Sequence, residues 1–280
     1  MKSNPIYYTD QHFAFADSVR KFVQKELMPH INEWEEAETF PRELYQKAAD
    51  IGLLGLGFDE NYGGIAGTDA FHVLLSSIEL AKTGSGGLCA SLLSHSIGAP
   101  PINHFASAEI KEAILTKILS GEKISALAIT EPTGGSDVAA LQTKAVRDGD
   151  DYIVTGEKTF ITSGIRADYY TVAVRTDPEA KGPNGISMLL IDAHSAGITK
   201  SKLDKMGWWA SDTAHLHFDN VRETKKNLLG AENMGFFVIM NNFNMERFFL
   251  AASSYGYALV CYDEALDWAK QRQTFGKRLI

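Results

Sequence analysis

Ala128-Ile129-Thr130-Glu131-Pro132-Thr133-Gly134-Gly135-Ser136-Asp137 runs an apolar strand end into a turn with two adjacent glycines, a serine and an aspartate. Glycines let main-chain N–H groups approach a ligand closely, and successive N–H groups form an anion-binding nest. The turn suits a pyrophosphate, and it equally suits an ordinary tight turn. A second stretch, Gly156-Glu157-Lys158-Thr159-Phe160-Ile161-Thr162-Ser163-Gly164, sets Phe160 and Thr162 two residues apart, on one face of a strand. That face fits a flat aromatic ring system or plain half-buried packing. The other glycine-rich string, Gly52-Leu53-Leu54-Gly55-Leu56-Gly57, lacks the G-x-G-x-x-G spacing and the following helix of a dinucleotide loop, and reads as a turn.

Upstream of the turn the pattern is helical. Phe15, Val19, Phe22, Val23 and Leu27 recur at helical spacing after a Thr9 or Asp10 cap, and Pro29 is expected to close the segment. Pro41 can open a second helix carrying Leu44, Ala48 and Ile51. A third carries Ala70, Val73, Leu74, Ser77, Ile78 and Ala81, a fourth spans 88–97, and a fifth carries Ile110, Ile114, Leu115 and Ile118 before a Gly121 cap. After Gly121 the rhythm becomes that of short strands at 125–130, 169–175, 186–192 and 214–218. The segments 143–147 and 151–156 form a hairpin about Asp148-Gly149-Asp150. From Glu232 to Lys270 a long helix returns, rich in small residues (Ala251, Ala252, Ser253, Ser254, Gly256, Ala258) that let another helix approach. One long helix cannot bury its apolar stripe alone, so either the chain is a fragment or this helix packs on the N-terminal helices and on a partner subunit.

Acidic residues number 35 against 27 basic, a formal charge of -8. This disfavours nucleic acid, whose binders present a basic face. Cys89 and Cys261 stand far apart without a Cys-x-x-Cys pattern, which fits a reducing compartment. The opening Met1-Lys2-Ser3-Asn4-Pro5 has neither the apolar run of a signal peptide nor the look of a transit peptide, and no stretch is apolar enough for membrane insertion. A cytoplasmic, bacterial protein is expected.

Taken together, the turn at 130–137 and the strand at 160–162 resemble the two flavin-binding stretches of the acyl-CoA dehydrogenase family. Further similar stretches follow in order: Phe40-Pro41-Arg42-Glu43-Leu44, Glu60-Asn61-Tyr62-Gly63-Gly64, Lys205-Met206-Gly207-Trp208, Ser211-Asp212-Thr213, Phe218-Asp219-Asn220-Val221 and Arg272-Gln273-Thr274-Phe275-Gly276. The resemblance implies a multi-domain α and β protein: an N-terminal helical domain (1–121), a middle β-barrel-like domain (122–230), and the start of a C-terminal helical bundle (231–280). Family members usually continue further and complete that bundle. It implies FAD as cofactor. Leu127, Ile129 and Thr130 would line the flavin ring, and Gly135 and Ser136 would sit at the phosphates, Ser136 also beside the acyl-CoA. Phe160, Ile161 and Thr162 would cover the ring's other side. Arg272, Thr274 and Phe275 would reach the FAD of a neighbouring subunit in a homodimer or homotetramer, with Arg272 on the pyrophosphate. Thr133-Gly134, Phe160 and Ser163 stand where Gly-Ala, Trp and Asn are frequent.

The activity implied is α,β-dehydrogenation of an acyl-CoA thioester in fatty acid metabolism, with electrons passed to an electron-transfer flavoprotein. The α-proton is weakly acidic, so a carboxylate in a dry site must take it. Most members of the family supply that glutamate further along the chain. A minority, similar to isovaleryl-CoA and long-chain acyl-CoA dehydrogenases, supply it from the long helix as Glu-Arg, and here Asn244-Met245-Glu246-Arg247 stands at that place. Phe243, Phe249, Leu250, Ser253 and Tyr257 share the helical face of Glu246, and such neighbours raise a carboxyl pKa. Glu246 is the expected base; a surface acid paired with Arg247, or a base beyond Ile280, are the alternatives. Asn244 and Arg247 match positions that contact CoA. A flavin oxidase or monooxygenase of the same fold, and a non-catalytic binding subunit, are the competing functions. His215 and His217 alternate on one strand without a third ligand, so no metal is expected.

Overall fold

The computed structural model describes residues 6–280, so Met1-Lys2-Ser3-Asn4-Pro5 lie outside the described residues. Thr9 caps α1 (Asp10–Phe22) through a capping box in which its N–H donates to His12 Nδ1. Pro29 does not end the helical path. A π-turn (Val23–Leu27) and a 3₁₀ turn (Met28–His30) bend the chain, and α2 (Ile31–Glu36) follows. A proline in the first turn of a new element lacks only an N–H that would be unpaired there anyway. Next come α3 (Glu43–Asp50) and α4 (Ala70–Ala81). Asp69 caps α4, accepting from the Phe71 and His72 N–H groups. It also accepts from His12 Nε2 at 2.9 Å, which ties α4 to α1. The expected helix at 88–97 is two, α5 (Gly86–Leu92) and α6 (His95–Gly98). α7 (Pro100–Phe105), with Pro in its first turn, is a helix beyond those expected. α8 (Ala108–Ile110), a π-turn and α9 (Thr116–Leu119) complete this part. Gly121 then turns the chain at φ +76, and a side chain there would sit 2.5 Å from the Tyr45 carbonyl.

Seven strands form one sheet: β1 (Ser125–Ala128), β2 (Lys144–Asp148), β3 (Asp151–Thr162), β4 (Tyr169–Arg175), β5 (Ile186–Asp192), β6 (Ile198–Lys202) and β7 (Thr213–Thr224). The order is β1-β4-β2-β3-β7-β6, with β5 on β4. β4 pairs parallel with β1 over Tyr169, Tyr170, Thr171 and Val172 and parallel with β2 only at Lys144↔Arg175, so the sheet divides and curls about β4. The hairpin β2–β3 turns at Gly149 as expected, whereas β6, with no buried residue to set an alternation, was missed.

The long helix α10 (Gly235–Gln271) has 37 residues, about 56 Å at the usual helical rise. Of the clustered small residues at 251–258, Ala252 and Gly256 are the buried ones, Gly256 against Ile78 and Ala81 of α4. A two-residue hairpin, β8 (Gln273–Thr274) and β9 (Lys277–Arg278), ends the chain. One core runs from Val19, Phe22, Tyr45 and Leu54 of the helical part into Tyr170, Leu189 and Phe218 of the sheet, and a second joins Ile102, Ile118, Met188 and Leu190 to Val238 and Ile239 of α10. Helices, sheet and long helix are therefore held around shared apolar contacts, in the order expected.

Candidate active site

The turn after β1 and the end of β3 are neighbours: the Thr159 N–H donates to the Thr130 carbonyl at 2.8 Å. Glu131 and Gly134 exchange main-chain bonds at 3.1 Å each, closing a tight hairpin over Pro132 and Thr133. Beneath it lies a buried ion pair that the sequence did not disclose. Lys158 Nζ reaches Glu131 Oε1 at 2.8 Å and the Ile129 carbonyl at 3.0 Å, while the Glu131 carboxylate also accepts from the Gln142 and Thr143 N–H groups. Burial would raise the Glu131 carboxyl, but Lys158 and these N–H donors outweigh it and hold it below its ordinary value. Burial lowers the Lys158 amine to about 8 against the pull of Glu131. The pair welds turn to strand.

Phe160 owes its orientation to a bulge. Against β7, Lys158 pairs with Leu216 and Ile161 with Ala214, so β3 carries one extra residue. Phe160 takes φ +59 and stands 69% exposed, while Lys158 and Thr159 both turn inward. Phe160 is exposed and Thr162 half-buried, and the bulge between Lys158 and Ile161 breaks the simple alternation that would pair them. Leu127 and Thr130 are half-buried and Gly135 and Ser136 exposed. Thr130 Cγ2 would lie 3.2 Å from a Cβ on Gly135. Among the described residues, the Gly135 and Ser136 amides have no hydrogen-bond partner. The side chains of Ile129 and Ile161 are buried in the core, which leaves only their main chains for a ring. An exposed aromatic held in a strained conformation and two unpaired amides beside a threonine fit the ring and pyrophosphate of FAD.

Across from Thr162, α10 lies against α5 and α6. Gly86, Cys89, Ala90, Leu93 and Ile97 recur along one side, and Glu246, Phe249, Leu250, Ser253 and Tyr257 along the other, enclosing about 280 Å³. The helices run in opposite directions, since Asn242 Nδ2 donates to the Ile97 carbonyl at 2.9 Å while Tyr257 lies beside Cys89. Glu246 Oε2 is buried with no hydrogen-bond partner. Burial raises its pKa above the ordinary carboxyl value, and Arg247 offsets this only in part.

Other expected residues lie outside this cavity. Asn244 is exposed in an adjoining groove of about 500 Å³ between α10 and α7. Arg247 lies over the Phe243 ring at 5.5 Å. Arg272 comes 26 residues after Glu246, about 39 Å along the helix axis, and stacks near Trp268. Thr274 and Phe275 sit on the terminal hairpin, with Phe275 fully exposed at φ +53. None of these three can serve the Glu246 cavity of its own chain. His215 and His217 lie 3.4 and 3.5 Å from Glu157 on the neighbouring strand. His12, Asp69 and His72 do cluster, but each ring Nδ1 accepts from the N–H of its helix cap. Sequence reasoning missed Lys158, Glu131 and Trp208. A lysine placed where strand alternation calls for an inward residue was the available signal for the first.

The fold joins a helical part, a curled sheet and a long helix whose Glu246 faces a cavity shared with Thr162, and comparison supplies the family. The descriptions "Acyl-CoA dehydrogenase, N-terminal domain", "middle domain" and "C-terminal domain" match residues 9–122, 126–221 and 233–280. The chain belongs to the acyl-CoA dehydrogenase family. It is 39% identical over 272 residues to the long-chain specific acyl-CoA dehydrogenase, mitochondrial, of Mus musculus, covering 96% of this chain and 63% of that protein. A probable acyl-CoA dehydrogenase structure from Mycobacterium abscessus is 45% identical with TM-score 0.93, over 97% of this chain and 72% of that one. A glutaryl-CoA dehydrogenase from Mycobacterium smegmatis, in complex with FADH2, is 31% identical with TM-score 0.89, over 97% and 68%.

Proposed function

We propose that this chain binds FAD and dehydrogenates an acyl-CoA thioester to the trans-2-enoyl-CoA, with Glu246 as base. The observation that carries the reading is the half-buried Glu246, whose Oε2 is buried without a hydrogen-bond partner, sharing one cavity with Thr162. A carboxylate without a cation or N–H donor at Oε2 is a stronger base than one at the surface, which suits it to an α-carbon proton. Apolar Leu93, Ile97, Phe249 and Leu250 exclude water from that transfer. Bound FAD supplies the oxidant that accepts the β-hydrogen with its electron pair. The Gly135 and Ser136 amides would hold the pyrophosphate, and Phe160, Thr162 and Thr130 would hold the ring. Ser136, Asn244 and Arg247 contact the CoA portion.

Arg272, Thr274 and Phe275 serve the site of a neighbouring chain in a homodimer or homotetramer, since their own site is out of reach. An electron-transfer flavoprotein takes the electrons. No helix among the described residues is long and apolar enough to cross a membrane; a cytoplasmic location completes the reading. The test is anaerobic mixing of FAD-loaded protein with a panel of acyl-CoAs, following flavin absorbance. Bleaching should occur with the native chain and slow by about 10²–10⁴-fold in Glu246→Gln, with FAD still bound. Undiminished bleaching in that variant would move the base elsewhere.

A further inference from the structure

Trp208 is held by more bonds than a surface tryptophan requires. It adopts φ +59, and its indole lies flat across Gly86 at the start of α5, where any Cβ would collide with the ring. Its carbonyl carbon would be 2.7 Å from a Cβ on Gly87. Two successive glycines are thus what lets the tryptophan close on the helix. The loop behind it is clasped from three directions. Lys205 Nζ donates to the Trp208 carbonyl at 2.6 Å and to the Ser211 carbonyl at 2.5 Å. Trp209 Nε1 donates to the Lys205 carbonyl at 2.9 Å. Glu35 of α2 accepts from the Ala210 N–H at 3.1 Å through one carboxylate oxygen and from the Ser85 hydroxyl through the other. Ser85 is itself the N-cap of α5. One carboxylate therefore locks the tryptophan loop to the helix it rests on.

Trp208 also lines the Glu246 cavity, yet its side chain remains 54% exposed. One face meets the cavity and the other meets solvent. Because α10 runs opposite to α5 and α6, Gly86, Trp208, Cys89 and Tyr257 stand together at the end of the slot away from Glu246. Tyr257 follows Glu246 by three helical turns, about 16 Å. An extended hydrocarbon advances by somewhat less than its ~1.5 Å bond length per carbon, so the slot takes on the order of ten carbons before it meets the indole.

Resting on the proposed dehydrogenase reading, we infer that Trp208 is the end wall of the acyl slot, a thin plug that restricts the protein to straight chains of about this length, and that Glu35 is the positioning residue that keeps the plug closed. A half-buried carboxylate–amide and carboxylate–hydroxyl clasp fixes the loop where exposed packing alone would let it swing. Removing the indole opens the slot directly to solvent, so that a longer chain can pass out through the gap.

The full chain, loaded with FAD, is presented with straight saturated acyl-CoAs of increasing length. Binding is read as the rise in melting temperature, and turnover as flavin bleaching. The native chain should lose both once the chain exceeds the slot. In Trp208→Ala the ratio of kcat/KM for the longest to the optimal chain should rise about tenfold or more. Trp208→Phe should keep the native profile, and Glu35→Gln should move it the same way as Trp208→Ala by a smaller factor, with altered tryptophan emission. A folded Trp208→Ala with the native length profile overturns the inference while leaving the dehydrogenase reading intact. If that variant does not fold, a native profile in Glu35→Gln overturns it. A native chain that neither binds nor is bleached by any acyl-CoA removes both.

Discussion

Glu246 joins stability to activity through one buried oxygen. Because burial raises its pKa, the acid limb of the bleaching rate should fall through a pH above the ordinary carboxyl range, with the rate rising as pH rises. The stability effect has the opposite sign. The unfolded chain releases this proton first, so ionisation favours unfolding from the ordinary carboxyl pKa upward, and the full cost is present above the raised folded value. Glu246→Gln should therefore raise the melting temperature more at pH 8 than at pH 4, and a uniform shift would contradict this. Phe160 separates the same two quantities. Its αL backbone costs a bulky residue about 1–2 kcal/mol, while its exposed ring contributes little to the core. Phe160→Gly should leave the melting temperature of the flavin-free protein unchanged or higher and weaken FAD binding in a titration. The sequence offered Phe160 as an aromatic on an open strand face but could not show the bulge, because an extra residue on one strand is visible only against its partner.

At the level of elements, α10 meets α4 closely at Gly256. A Cβ on Gly256 would be 2.5 Å from Ala81 Cβ and 3.1 Å from Ile78 Cα. Overpacking of this kind costs about 1–3 kcal/mol. Gly256→Leu should lower the denaturation midpoint accordingly, whereas the same change at exposed Ala258 should do little; equal effects would remove the close contact as the cause. The small-residue cluster was legible, but which of its members faced the partner helix was not, since several faces of α10 carry small residues. The same limit applied to the slot. Glu246, Phe249, Leu250, Ser253 and Tyr257 were readable as one stripe from spacing alone. Their opposite numbers on α5 and α6 were not, because contact between elements about 150 residues apart leaves no local pattern. Lys158 and Glu131 escaped for a related reason: each reads as a surface charge until the other is brought within 2.8 Å.

For the whole molecule, the length of α10 is decisive. It sets Arg272 about 39 Å along the axis from Glu246, so the terminal hairpin of a chain lies out of reach of its own Glu246 cavity. If chains exchange hairpins, mixing inactive Glu246→Gln with inactive Arg272→Ala should restore part of the bleaching, because some mixed assemblies pair an intact base with an intact hairpin. Absence of any recovery after exchange of subunits would place the hairpin outside the reaction. The three-part order of helices, sheet and long helix could be read from the change in hydrophobic period. The common core that joins them could not, since period reports which face is apolar and not what covers it.

The ammonium sealed under the 131–134 turn has a last consequence. Amine-directed labels should modify the chain's solvent-facing lysines and pass over Lys158, which has no exposed surface. Any acylation of that one nitrogen would then clock how often the floor beneath the cofactor loop lifts away from its strand.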